Sequence, residues 1–369
     1  MRRLSAILTV SCLAAALAAP RAQDSPPLRL AIAGLVHGHV SGFLRSTQGR
    51  TDVKIVGLFD PDAALLASYG QRFGLGRSVL FTDLNAMLEG TTPEAVASFS
   101  STYDHPSIVE AAAARRLHVM MEKPLAVSNA DAERISRAAV RGGIHVLVNY
   151  ETTWYANHAA IWRLFKEERA AGQIRKMVAL DGHQGPRKIN VQPEFFGWLT
   201  DPVKNGAGAL FDFGCYGANL MTWLMDNQRP LGVTAITQQL QPDVYPHVDD
   251  EATILLEYPH AQGIIQASWN WPYNRKDLEV YGESAAAIAT TGGKELRVRR
   301  PKETERVAVA EPLPLDQQDP ISHLTAVVRG RQKPNALSSL ENNIIVTEIL
   351  DAARESARVG RRVTLAKRN

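Results

Sequence analysis

The sequence predicts two domains: an α/β domain on a parallel sheet, followed by an α+β domain with an open-faced, mainly antiparallel sheet. Three observations support this. The chain has 369 residues, more than one hydrophobic core normally organises. From Leu28 to Tyr150, short apolar runs alternate with helical patterns. Beyond Tyr150 the texture changes to longer alternating runs joined by short turns. With 45% hydrophobic and 21% charged residues, the composition suits a soluble α/β chain and excludes a fibrous or low-complexity one.

In the first domain, residues 28–150, strands are expected at Leu28–Ala33, Val53–Phe59, Ala95–Phe99, His118–Met121 and His145–Val148. Helical patterns lie between and after them at Ser41–Thr47, Ala63–Phe73, Leu84–Leu88, Pro106–Arg115 and Asn129–Arg141. Strands alternating with helices require right-handed crossovers, hence the parallel sheet. In the second domain, residues 151–340, helices are expected at His158–Ala171 and Asp212–Met225. Strands follow at Val233–Leu240, Glu251–Tyr258, Gly263–Trp269, Asp277–Tyr281, Ala286–Thr290 and Leu296–Val298. Turns as short as Pro259–Gly263 join consecutive strands and make that sheet antiparallel. Residues 341–369 read as a terminal helix, Glu341–Val359, stopped by Gly360, and a tail.

Residues 1–22 read as an export signal. Arg2 and Arg3 form a basic start, Leu4–Leu17 is rich in Ala, Leu and Val, and Ala16-Leu17-Ala18 supplies a small-residue cleavage site. The apolar run is too short to span a bilayer, so the mature chain is expected in the periplasm or secreted, free of the membrane. The formal charge of +3 vanishes with Arg2, Arg3 and Arg21, which leaves equal numbers of basic and acidic residues. Nothing in that balance points to nucleic acid. Cys12 lies in the signal, and Cys215 alone cannot form an internal disulfide. Packing suits Cys215 better than nucleophilic chemistry.

Gly34-Leu35-Val36-His37-Gly38-His39 follows the first strand, where a Rossmann-type nucleotide sheet carries G-x-G-x-x-G. Only Gly34 matches. Val36 and His39 replace the second and third glycines. Asp60 ends the second strand, where a carboxylate accepts ribose hydroxyls, and no basic neighbour is there to hold a 2′-phosphate. NAD is therefore the expected cofactor, with NADP the alternative. Asp60 also has a structural reading, as a helix cap before Pro61.

Other motifs reach beyond this turn. Glu122-Lys123-Pro124 ends an apolar strand, and Phe99-Ser100-Ser101-Thr102-Tyr103-Asp104-His105 ends another. Downstream stand Asp212-Phe213-Gly214-Cys215-Tyr216, Val248-Asp-Asp-Glu-Ala-Thr and Gln266-Ala-Ser-Trp269. Jointly they resemble the Gfo/Idh/MocA family (glucose–fructose oxidoreductase, inositol dehydrogenase and relatives) over nearly all of Leu28–Leu365. The family's Asp-x-Gly-x-His or Tyr is present in its Tyr form, similar to the glucose–fructose oxidoreductase branch. The resemblance implies cofactor contacts from Gly34, Val36, His37, Gly38, His39, Asp60, Ser100, Ser101, His105, Glu122, Lys123 and Pro124.

The activity this implies is hydride transfer between a nicotinamide cofactor and a secondary alcohol of a sugar or cyclitol. Oxidising a carbinol needs a base for the hydroxyl proton while the hydride leaves. The resemblance makes Lys123, Tyr216 and Asp212 the catalytic set, and Asp212 and Tyr216, four apart on a helix, share one face. A phenol near pKa ~10 is a poor base, and the Lys123 ammonium is expected to favour the phenolate. His183, Trp198, His247, Trp269 and Trp271 are candidates for the substrate cleft, since indole rings stack on sugar faces. His37, His39 and His105 match no metal-ligand spacing, so no metal site is expected. Self-association through the C-terminal sheet is expected as well. Two other classes stay open: an NAD-dependent glycoside hydrolase working by transient C3 oxidation, and a non-catalytic sugar or nucleotide sensor. Sugar turnover with cofactor reduction, glycoside cleavage without net NADH, or neither, separates the three.

Overall fold

A computed structural model describes residues 26–365, so the export-signal reading over residues 1–22 lies outside the described residues. Strands β1 (Leu28–Ala33), β2 (Val53–Phe59), β3 (Leu80–Phe81), β4 (Ala95–Ser98), β5 (His118–Glu122) and β6 (Val146–Asn149) form one sheet, in the order β3-β2-β1-β4-β5-β6. All its pairings are parallel. Helices α1 (Val40–Thr47), α2 (Ala63–Phe73), α3 (Leu84–Thr91), α4 (His105–Ala113) and α5 (Asn129–Gly142) alternate with the strands. Strands β1 and β4 are near-continuous apolar runs because helices cover both faces. Local chemistry ends the helices. Asp62 caps α2 by accepting from the amides of Ala64 and Leu65 at 2.8 and 3.1 Å, and Gly74 closes it in the left-handed region. Ser128 and Gly143 do the same for α5. Strand β3 escaped the sequence reading because two residues make no periodic pattern.

The second domain opens with α6 (Ala156–Trp162), which runs into a π turn at Arg163–Glu167 in place of the single helix expected over His158–Ala171. Then come β7 (Ile174–Gly182), α7 (Pro193–Leu199), α8 (Pro202–Asn205), α9 (Ala209–Asp212) and α10 (Gly214–Leu224). The helix expected over Asp212–Met225 is thus broken at Phe213. Strands β8 (Gly232–Gln238), β9 (Glu251–Glu257), β10 (Gln262–Ser268), β11 (Arg275–Gly282), β12 (Ala286–Ala289), β13 (Glu295–Arg299) and β14 (Arg306–Val309) follow. Helices α11 (Pro320–Val328) and α12 (Leu340–Val359) and strand β15 (Val363–Thr364) complete the described chain.

The second sheet has nine strands in the order β14-β13-β12-β11-β7-β10-β9-β8-β15, antiparallel except for the parallel pair β7 and β10. Strand β7 is central, yet its Ile174-Arg175-Lys176-Met177 start breaks the alternation that marks a strand. Helix α10 is buried along its whole length against one face of this sheet. A Cβ on Gly217 would stand 2.7 Å from Ile265 and 2.8 Å from Ala179, which shows how closely helix and strands approach. Helix α11 folds back: Ile321, Leu324 and Val327 share a core with Leu28, Leu30 and Ile32 of the first domain.

Candidate active site

Strand β5 and helix α9 deliver Lys123 and Asp212 from the two domains to one point. Lys123 follows directly on β5, and its peptide bond to Pro124 is cis. Its buried Nζ donates to the Asp212 carbonyl oxygen at 2.9 Å and forms an ion pair with the Asp212 carboxylate. The other carboxylate oxygen accepts from Trp269 Nε1 at 2.9 Å. Burial disfavours both charges, but mutual attraction outweighs it. The Lys123 ammonium is held above its ordinary range and the Asp212 carboxyl below, so the pair stays ionised. Helix α9 is itself anchored. Asp249 accepts from the amides of Gly208 at 2.9 Å and Leu210 at 2.7 Å, and burial pushes its carboxyl up to about 6.

Tyr216 lies beside this pair with its ring centroid 5.2 Å from Lys123 Nζ and 5.3 Å from Lys276 Nζ. The expected lowering of its phenol is not met. Burial pushes that phenol well above 10, with Glu151 the next contributor, and the Lys123 ammonium is directed at Asp212. The hydroxyl is therefore a proton donor at neutral pH. Lys276, on β11, pairs with Glu151 at 2.8 Å. His183 sits edge-on to Phe213 at 4.8 Å, and its Nδ1 accepts from the Gly185 amide at 2.9 Å. Burial depresses its imidazole to about 4, so it is neutral with its proton on Nε2.

Burial removes Trp269 and Trp198 as sugar-stacking candidates, whereas Trp271 is half-buried. Trp269 is fully buried and holds Asp212. Trp198 is buried and donates to the Val36 carbonyl at 3.2 Å, and Trp271 donates to the Asp181 carbonyl at 3.3 Å. Packing and a protein partner engage each indole. His247 is exposed and lines another cavity of about 370 Å³ with Pro202 and Thr237. Of the substrate candidates, Trp269 meets Asp212 directly and His183 lies close enough to Lys123 and Asp212 to feel both charges.

The nucleotide turn is tightly built. Gly34 has φ +85, and a Cβ there would stand 2.7 Å from the backbone of Ser100, which brings the ends of β1 and β4 together. His37 is buried against His39, Phe195 and Trp198, with ring centroids 4.6, 4.8 and 5.6 Å away, so α7 packs on the turn. Buried Asp60 accepts from the amides of Leu35 at 2.8 Å and Asp62 at 2.9 Å. It thus braces the turn while keeping lone pairs free. Burial raises its carboxyl, and nearby Asp62 and Asp104 add to that. Ser101 donates to Asp104 at 2.6 Å, and Ser100 Oγ lies 3.1 Å from Ser98 Oγ. His105 meets the Leu125 carbonyl at 3.1 Å through Nδ1. Glu122 pairs with His39 Nδ1 at 3.0 Å and accepts from Asn149 at 2.9 Å. Burial alone would raise its carboxyl, but these partners bring it to about 2.

These residues fit a dinucleotide without a 2′-phosphate. Asp60, Asp62 and Asp104 make the β2 end acidic, which suits hydroxyls and repels phosphate. The N-terminal end of α1 opens on a cavity of about 460 Å³ lined by Gly38, His39, Glu122, Asn149 and Glu151. Asn149 and Glu151 escaped the sequence reading, although both sit where strand ends of an open parallel sheet hold ligands. Lys276 carries no local signal at all. It is one charged residue on an alternating strand.

Residues 28–150 match an oxidoreductase family's NAD-binding Rossmann fold, and residues 166–288 match a GFO/IDH/MocA C-terminal domain. A D-apiose dehydrogenase from Paraburkholderia graminis is 25% identical over 335 residues, covering 85% of this chain and 83% of that one. A 1,5-anhydro-D-fructose reductase from Ensifer adhaerens is 22% identical over 311 residues, covering 80% and 86%. An inositol dehydrogenase homologue from Azotobacter vinelandii, solved with NAD+, superposes with a TM-score of 0.79 at 20% identity over 92% of this chain and 98% of that one. An aldose-aldose oxidoreductase from Caulobacter crescentus, solved with glycerol, gives 0.77 at 21% identity over 92% and 100%. With both of its characteristic domains matched in order, the chain belongs to the Gfo/Idh/MocA family of NAD-binding oxidoreductases.

Proposed function

We propose that the protein transfers a hydride between NAD and a secondary-alcohol carbon of a sugar or cyclitol at the cluster of Lys123, Asp212 and Tyr216. The buried Lys123–Asp212 pair, contributed by two domains beside a protonated phenol, carries this reading. A bound nicotinamide accepts or supplies the hydride. The Lys123 ammonium has three hydrogens, and the one not directed at Asp212 bonds to the reacting oxygen. In reduction the Tyr216 hydroxyl gives its proton to that oxygen and is reprotonated from solvent; oxidation is the reverse and starts from the minor phenolate form, which takes the substrate's hydroxyl proton. His183 donates from Nε2 to a neighbouring hydroxyl and orients the ring. That relatives of this chain are named for small sugars supports the substrate class.

The test is turnover of a panel of neutral sugars and cyclitols by the wild type and Tyr216→Phe, with NAD affinity measured separately. Loss of the proton-transfer group typically costs 10²–10⁴-fold in rate, roughly. NAD affinity is expected to stay unchanged. A variant retaining more than about a tenth of the wild-type rate places the proton-transfer group elsewhere.

A further inference from the structure

We propose that His37, His39 and Glu122 form a binding site for a divalent transition-metal ion of the zinc class, whose open position takes a nucleotide phosphate. One ring nitrogen of each histidine and a carboxylate oxygen of Glu122 lie within 4.8 Å of one another. His39 Nδ1 is already 3.0 Å from Glu122 Oε2. A tetrahedral ion with bonds of about 2.0–2.2 Å holds its donors roughly 3.3–3.5 Å apart, so closure needs shifts of about an ångström. The site has that freedom. The His39 side chain is 50% exposed, and the 3.2 Å bond from its amide to His37 Nδ1 is at the long end of the hydrogen-bond range.

The surroundings support a ligand role. Asn149 donates to Glu122 Oε1 at 2.9 Å, which orients the carboxylate as an outer partner of a metal ligand does and leaves Oε2 towards His39. Two imidazoles and one carboxylate suit zinc, cobalt or nickel, whereas magnesium and calcium prefer oxygen donors alone. Three protein ligands leave a tetrahedral ion one open position. Here His39 and Glu122 line the cavity at the start of α1. That is where a nucleotide sheet receives pyrophosphate, and where Val36 and His39 have displaced the glycines that let backbone approach it. Arg45 also lines this cavity, and a cation held by His37, His39 and Glu122 adds positive charge at the altered turn itself. This departs from the sequence expectation of no metal site, which rested on the spacing of the histidines alone. The third ligand comes from β5 and is adjacent only in the fold.

The metal assignment is independent of the substrate reading, and its phosphate part rests only on the nucleotide role of the first domain. The full chain, stripped by a chelator, is titrated with Co²⁺ and followed by its visible ligand-field bands, with calorimetry for Zn²⁺. The expected result is one ion per chain with bands far stronger than those of aqueous Co²⁺. His39→Ala, at a half-exposed position that should fold normally, should weaken binding at least tenfold. Asn149→Ala should weaken it about 10–100-fold. Adding ADP should shift the bands. Absent bands, or equal affinity in His39→Ala, overturn the site. Bands unmoved by ADP overturn the phosphate ligation, whether or not calorimetry shows ADP bound.

Discussion

Trp269 bonds the Asp212 carboxylate directly, and Asp249 anchors the start of the helix that carries it. Trp269 donates its indole N–H to the carboxylate, so Trp269→Phe keeps the ring and leaves one buried lone pair unsatisfied. Losing a hydrogen bond to a charged group costs about 1.5–3 kcal/mol. We expect kcat for the active sugar to fall about tenfold or more, with a smaller change in KM, because the bond orients an active-site group. Equal kcat would assign Trp269 a packing role alone. Asp249 gives a pH signature. Its folded carboxyl is at about 6 against an ordinary 3.8, so its stabilising contribution is complete below 3.8 and is lost as pH rises through about 6. Melting temperatures of the wild type and Asp249→Asn, compared from pH 4 to 7, should show the wild type losing ground steadily with rising pH. Parallel curves would contradict this.

At the scale of elements, two glycines set distances that the site depends on. Gly34 combines a positive φ with backbone 2.7 Å from its missing Cβ, so Gly34→Ala must strain β1 or push β4 away. NAD affinity should fall, as read by fluorescence titration, and an unchanged affinity would separate this turn from the nucleotide. Gly217 lets α10 lie on β7 and β10. Gly217→Val would drive a branched side chain into Ile265 and Ala179, and overpacking of this kind costs about 1–3 kcal/mol. Urea unfolding should show a lower midpoint with an unchanged slope. The break between α9 and α10 belongs to the same scale, because Asp212 closes one helix while Tyr216 lies inside the next.

At the scale of the molecule, the second sheet has two unlike faces. Helices α10 and α12 line one, where Ala252, Ile254 and Leu256 are buried. The other carries Leu255, paired with Ile264, and Ile236, paired with Thr253. Ile236 is 67% exposed and Leu255 39% exposed. We propose that a second copy of the chain covers this face. Light scattering should report a dimer or larger assembly at micromolar concentration, and the double substitution of Ile236 and Leu255 by Lys should dissociate it. A wild-type monomer would refute the idea.

Periodicity and motifs were enough for the parallel sheet, the helix stop at Gly360 and the family motifs in which Lys123, Asp212 and Tyr216 stand. These follow from interactions between near neighbours in sequence, which one strand or helix expresses by itself. Strand β7 was illegible because exposed Arg175 and Lys176 break its alternation while the pairing with β10 and β11 that makes it a strand is long-range, and α11 because its core partners lie in the other domain. The charge state of the site was illegible for the same reason. Lys123 chooses Asp212 over Tyr216, Trp269 becomes a hydrogen-bond donor, and Glu122 meets His39 only once the strand ends converge. Burial then decides which of these groups are ionised, and burial is a property of the assembled fold.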